Sequence, residues 1–222
     1  GGSAPFRYAW FGYRVNPTNS QVVTAKPDTA GVYVYTVIVT DANGCEISDT
    51  VLVEVYSPVV AYAGVDDTIC IGQSVVIGGM PTALGGSGIA NYSWSPGSGL
   101  SSISVSNPTA SPTSTTIYTV TVSDPAGCTA SSSVRVWVNP SPVADAGPDQ
   151  TLVSCSNDSV RLGGSPAASG GFAPYSYNWT PGTGMRPSTT TSNPYVGNLG
   201  SSTLYTLVVT DANGCTSSDQ AQ

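Results

Sequence analysis

The eleven residues Tyr35-Thr36-Val37-Ile38-Val39-Thr40-Asp41-Ala42-Asn43-Gly44-Cys45 decide the fold. In an extended chain, Tyr35, Val37 and Val39 share one face, while Thr36, Ile38 and Thr40 share the other. A period of two with one apolar face describes a strand buried on one side. Asp-Ala-Asn-Gly then turns the chain. Asp can bond the backbone two residues on, and Asn and Gly tolerate positive φ. A second alternating run follows, Val51-Leu52-Val53-Glu54-Val55. The stretch therefore predicts a β-hairpin with a cysteine just past its tip.

The hairpin recurs. TDANGC returns at 210–215, and SDPAGC is its relative at 123–128, where Pro125 brings a φ suited to an early turn position. The turn aspartates Asp41, Asp124 and Asp211 stand 83 and 87 residues apart. Tyr8-Ala9-Trp10, Tyr92-Ser93-Trp94 and Tyr177-Asn178-Trp179 keep the same rhythm, with tryptophans 84 and 85 apart. Each tryptophan lies nine residues after the first glycine of a Gly-Gly pair, at Gly1, Gly85 and Gly170. A period near 85 is too long for a solenoid unit and fits a small β-sandwich. Tyr and Trp two apart point the same way, into the core.

Further matching pieces fill the repeat. Ser74-Val75-Val76-Ile77 and Ser159-Val160-Arg161-Leu162 are short strands, preceded by extended entries at 60–64 and 143–147. Shared bends fall at Ser106-Asn107-Pro108 and Ser192-Asn193-Pro194. Pro58 and Pro140-Ser141-Pro142 read as short, stiff linkers. The expected architecture is all-β: immunoglobulin-like antiparallel β-sandwiches in a head-to-tail rod. Residues 1–57 form a partial repeat lacking its first strands, 58–140 a complete one, and 141–222 one lacking its last strand.

Composition narrows the function. Only 9% of residues are charged, 40% are hydrophobic, and the net charge is −7. Six scattered Lys and Arg residues exclude a nucleic-acid partner, which needs clustered cations. No apolar run approaches the ~18 residues of a membrane span. Without histidine, neither a Ser-His-Asp nor a Cys-His arrangement can form. Gly85-Gly86-Ser87-Gly88 lacks the lysine of a phosphate-binding loop, and Lys26 reads as a solvated loop residue. The chain is not read as an enzyme, and no catalytic or cofactor-binding residue is assigned.

The pattern AGxDxT…GxSVxLGG…YxWxP…YTVTVTDANGC…VxVxVNP resembles PKD-like, immunoglobulin-like repeats of large secreted surface proteins of gliding Bacteroidota. The resemblance covers the whole chain. It implies export by the type IX system, a cell-surface location, and a stalk, adhesin or spacer role. The Trp-x-Phe-Gly-Asp-Gly turn of ordinary PKD domains is replaced by Trp94-Ser95-Pro96-Gly97 and Trp179-Thr180-Pro181-Gly182, with a trace at Trp10-Phe11-Gly12. Properties tied to that acidic turn are not carried over. Four triplets, at Thr29, Thr50, Thr68 and Ser159, resemble the Asp-Thr/Ser-aliphatic O-glycosylation signal of such exported proteins.

Register against the middle repeat suggests a window on a longer tandem array. The missing strands would come from flanking chain or from a neighbouring molecule. Five cysteines fit such a window and an oxidising, extracellular setting. Pairing within repeats gives Cys70–Cys128 and Cys155–Cys215. In an immunoglobulin-like topology, however, the start of the second strand and the final hairpin tip lie at opposite poles. A strand separates them by ~20 Å, whereas a disulfide needs Cα atoms within ~7 Å. Head-to-tail stacking instead brings Cys70 to Cys215 across a junction, and this is the expected bond, with pairing within repeats as its alternative; Cys45, Cys128 and Cys155 are left to face other repeats.

Asp66, Asp67, Asp145 and Asp149 near the linkers are calcium candidates, with turn capping as their alternative role. Trp137, alternating with Val136 and Val138, should face outward with Arg135 as a lateral contact or a sugar-stacking ring. The expected function is structural and adhesive. Its partners are neighbouring repeats of the same longer chain or identical subunits, and surface glycans. A polysaccharide-binding module and a spacer of a secreted enzyme are the alternatives.

Overall fold

The computed structural model describes residues 2–88, 90–152 and 158–222, and these contain strands but no helix. All three hairpins form. Gly31–Thr40 pairs with Glu46–Val55, Thr116–Ser123 with Thr129–Asn139, and Tyr205–Thr210 with Thr216–Ala221. On the other flank of each first arm lies the tryptophan strand: Arg7–Phe11, Asn91–Ser95 or Ser176–Thr180. Trp10, Trp94 and Trp179 stand opposite Val37, Val120 and Leu207. The register is the same three times, as it must be, because a slip of one residue would turn every core side chain outward.

The second arm begins right after each cysteine, earlier than its apolar alternation suggests. Near the tip its partly buried positions carry Ala130 and Ser132, or Ser217 and Asp219, instead of valine. In the third repeat this arm is the strand Thr216–Ala221.

An opposing layer of short strands closes two of the repeats. In the second, Val60–Ala61 pairs with Ala83–Leu84 and Val75–Val76 with Thr109–Ala110. In the third, Pro142–Ala144 pairs with Ala168–Gly170, and Tyr195–Gly197 pairs with both Ser159–Arg161 and Met185–Arg186. One interior holds Trp94, Tyr118, Val120, Val134 and Val136 against Val59, Ile69 and Ile77. The other holds Trp179, Tyr205, Leu207 and Val209 against Ala146, Leu162 and Val196. These are two-layer, immunoglobulin-like β-sandwiches.

The buried aromatics find partners for their polar ends. Trp94 Nε1 donates to the Val105 carbonyl at 2.9 Å and Trp179 Nε1 to that of Thr191 at 3.1 Å. The Tyr118 hydroxyl donates to the Ser98 carbonyl at 2.9 Å, and Tyr205 to that of Thr183. Each bond removes the cost of burying an unpaired donor.

One pairing departs from the antiparallel rule. Asp67–Cys70 runs parallel to Val136–Asn139. The entry segment starts in the opposing layer at Val60–Ala61 and crosses at Gly64, whose φ of +96° suits glycine. It then joins the hairpin sheet. At the crossing, Asp66 Oδ1 accepts the Arg135 backbone N–H at 2.8 Å. Asp149 Oδ1 accepts that of Gln222 at 2.9 Å in the third repeat.

The first repeat has the hairpin sheet but no opposing layer among the described residues, only the small ladder of Val15–Asn16 with Thr24–Ala25. Val51 is 49% exposed, while its register equivalent Val134 is 1% exposed. Cys155 lies outside the described residues.

Candidate functional site at the disulfide-bonded junction

The hairpin tip is built around its aspartate. Asp211 Oδ1 accepts the backbone N–H groups of Asn213 and Cys215, both at 2.9 Å. Its Oδ2 accepts the Phe172 N–H at 3.0 Å, from the loop that follows Gly170-Gly171. Asp124 does the same with Cys128 at 2.8 Å and Ser87 at 2.9 Å, and Asp41 with Cys45 at 2.9 Å and Ser3 at 3.1 Å. The two repeated motifs, TDANGC and Gly-Gly, are therefore halves of one structure. Gly171 shows why glycine is needed: its φ is +55°, and a Cβ there would stand 2.7 Å from Asp211 Oδ2 and 2.9 Å from Pro142 N.

These bonds act on the carboxyl groups. At Asp124 and Asp211, burial resists ionisation, but the backbone donors outweigh it and hold the pKa below the usual aspartate value. At Asp41 the Cys45 and Ser3 donors dominate, again lowering it. The turn is an anion held by amides.

Cys70 reaches this turn from the preceding repeat. Its parallel pairing sets it beside Asn139, the last residue of the long second arm, and Ile71 N–H donates to the Asn139 carbonyl at 2.9 Å. Three residues later Pro142 pairs with Gly170, next to the Asp211 turn. So short a connection spans at most ~11 Å. It brings the far pole of the second sandwich against the near pole of the third, and Cys70 and Cys215 are joined there with Cα atoms 5.6 Å apart. Cys215 is wholly buried, whereas Cys45 and Cys128 are free and exposed.

The bond that forms is the expected one across the junction, and the alternative pairing within repeats does not form. Cys128 has no bond to Cys70, and Cys215 is taken by Cys70 and so is not available to Cys155. The physical reason is the separation of the poles along the hairpin arms.

No family model matches the chain, and no curated protein does. Solved structures do show likeness. Extracellular domains 3–5 of Drosophila OTK align at 11% identity over 99% of this chain and 85% of that one, with a TM-score of 0.35. The insect immune protein hemolin aligns at 14% over 96% and 66%, with a TM-score of 0.36. The N-terminal eight Ig domains of Down Syndrome Cell Adhesion Molecule align at 13% over 98% of this chain and 37% of that chain, with a TM-score of 0.44. At these identities the likeness is one of fold alone.

The other candidate residues do not converge. Besides Asp66 and Asp149, which bond the hairpin sheet as described, Asp67 Oδ1 accepts the Thr68 N–H at 2.7 Å and Asp145 Oδ1 that of Gly147 at 2.9 Å. Among the described residues no three metal-binding side chains form a group. Thr29, Thr50, Thr68 and Ser159 are all exposed. Trp137 is 45% exposed and faces out with Arg135, whose guanidinium carbon lies 4.8 Å from the ring centroid. The sheet-crossing role of Asp66 and Asp149 escapes sequence reasoning, although their shared place in the AGxD motif was the available signal.

Proposed function

We propose that this chain is a tension-bearing segment of a long extracellular surface protein or filament, made of tandem sandwich repeats at 1–57, 58–140 and 141–222. One observation carries the reading: the Cys70–Cys215 bond links consecutive sandwiches outside the peptide linker. A disulfide suits an oxidising exterior. Pulled from its ends, the oxidised chain passes force from Cys70 straight to Cys215. Everything between them is shielded. Neither a catalytic domain nor a mobile binding module needs such a bypass. The scarcity of Lys and Arg also leaves few sites for trypsin-like proteases. On the repeat pattern, the family is the PKD-like one of Bacteroidota surface proteins, exported by the type IX route. The exposed Thr29, Thr50, Thr68 and Ser159 are the O-glycan acceptors. Adhesion to surface glycans and lateral contact with identical subunits belong to the same reading.

Single-molecule pulling from the two termini tests it. The bond closes a span of 145 positions, so reduction should release about 500 Å of additional contour length. Equal contour lengths with and without reductant would remove the basis of the proposal.

A further inference from the structure

The open face of the first repeat and the free thiol of Cys128 are two halves of one vacancy in the repeat pattern, and the second and third repeats define what fills it. Register makes the comparison strict. Val37 stands opposite Asp49, Val120 opposite Ser132, and Leu207 opposite Asp219. Tyr35, Tyr118 and Tyr205 stand opposite Val51, Val134 and Ala221. Val134 and Ala221 are buried at 1% and 0% exposure, yet Val51 is 49% and Ile47 73% exposed. In the second repeat this face is covered by the entry segment, through Val59, Ala63, Ile69 and Ile77.

Polar sockets repeat as well. Ser132 Oγ accepts the Ala63 N–H at 3.1 Å, and Asp219 Oδ2 accepts the Ala146 N–H at 2.8 Å. Asp49 offers a carboxylate at that register position. Arg135 and Gln222 give their N–H groups to Asp66 and Asp149 of an entry segment, and Leu52 holds their place in the first repeat.

Cys128 is the independent observation. It occupies the position of Cys215, after the same turn aspartate, with the same bond from its N–H. Cys215 is bonded to the entry-segment cysteine of the preceding repeat, and Cys128 is free. An entry segment laid on the first repeat would bring its own cysteine to Cys128. The linkers agree in length: Val59 follows Tyr56 by the same three positions that separate Pro142 from Asn139.

We infer that the first repeat is an acceptor for an additional entry segment with the pattern of residues 58–79, and that this segment's cysteine forms a disulfide with Cys128. The occupant is not a second copy of this chain, because Val59, Ala63, Ile69 and Ile77 of one entry segment and Ala146 and Leu162 of the other are packed in their own sandwiches. The chemistry is thiol–disulfide exchange. The Cys128 thiol gives its proton to solvent, and its thiolate attacks the segment's cysteine held as a mixed disulfide with a small thiol. The new S–S bond forms, and the small thiol leaves as thiolate. The inference rests on the repeat reading but not on the tension role. If peptide capture fails, the pulling experiment is untouched.

The test adds a peptide of residues 58–79, with its cysteine as the glutathione mixed disulfide, to the oxidised full chain, followed by peptide mapping. Docking raises the local concentration at one thiol, so the adduct should favour Cys128 over Cys45 by at least about tenfold. A peptide carrying Ile69→Asp, which cannot unfold the acceptor, should lose that preference. So should a Val51→Asp chain. Equal labelling of Cys45 and Cys128, or undiminished preference with the Ile69→Asp peptide, would overturn the inference. Dimers that block the peptide would do the same.

Discussion

The turn aspartate shows how one side chain can organise a whole repeat. Asp211 accepts from the Asn213 and Cys215 N–H groups through one oxygen and from Phe172 through the other. It closes the hairpin tip and ties it to the loop before the tryptophan strand. Asp124→Ala should strand the Ser87 and Cys128 donors and lower the thermal midpoint by several degrees, read by circular dichroism. Asp124→Asn should cost less, because one amide oxygen remains to accept. The pH dependence has a fixed sign. All three turn aspartates have lowered pKa values in the folded chain. They therefore contribute stability above the ordinary aspartate value of 3.8, which is lost as pH falls through the lower folded values. With no histidine in the chain, the urea midpoint should stay level from about pH 7 to 5 and fall below about pH 4. A midpoint that rises on acidification would contradict the anchored-anion account.

At the scale of the element, the hairpin was legible because its information is local. Alternation, turn chemistry and the Gly-Gly pair lie within one stretch each, and the three copies confirm one another. The parallel strand Asp67–Cys70 was not legible in the same way. Its four residues carry no period of their own, and their place is set by Gly64 and by the Asp66 bond to a residue 69 positions away. The start of the second arm was hidden for a related reason. Ala130 and Ser132 are small or polar because the entry segment comes close, Ala63 N–H donating to Ser132. The cysteine partner followed from the poles of the sandwich, whereas for the linker aspartates the sequence offers both calcium binding and turn capping, and it does not show which distant backbone N–H groups they accept. Packing makes a further prediction at this scale. Val136 is fully buried, so Val136→Ala should cost about 2 kcal/mol in two-methyl burial and cavity. Val51→Ala, on the open face, should cost no more than about 0.5 kcal/mol in chemical denaturation. Equal losses would mean the first repeat's face is covered in solution.

Across the whole molecule the decisive quantity is how many covalent paths cross the junction. The second and third sandwiches meet through the peptide Asn139-Pro140-Ser141-Pro142 and through Cys70–Cys215. Two paths side by side restrain bending in a way that one three-residue tether does not, and they make the joint tolerant of a single cut. A protease site placed at Pro140-Ser141 provides the check. After cleavage of the oxidised chain, the fragments 1–140 and 141–222 should migrate as one species without reductant and separate with it. The cut pair should also keep the near-native melting of each sandwich, because the cleaved bond lies between the strands Thr129–Asn139 and Pro142–Ala144, outside both ladders. A Cys70→Ser chain, cut at the same place, should fall apart at once without any reductant. If it stayed together, non-covalent contact between the sandwiches would be holding the joint, and the disulfide would be secondary to it.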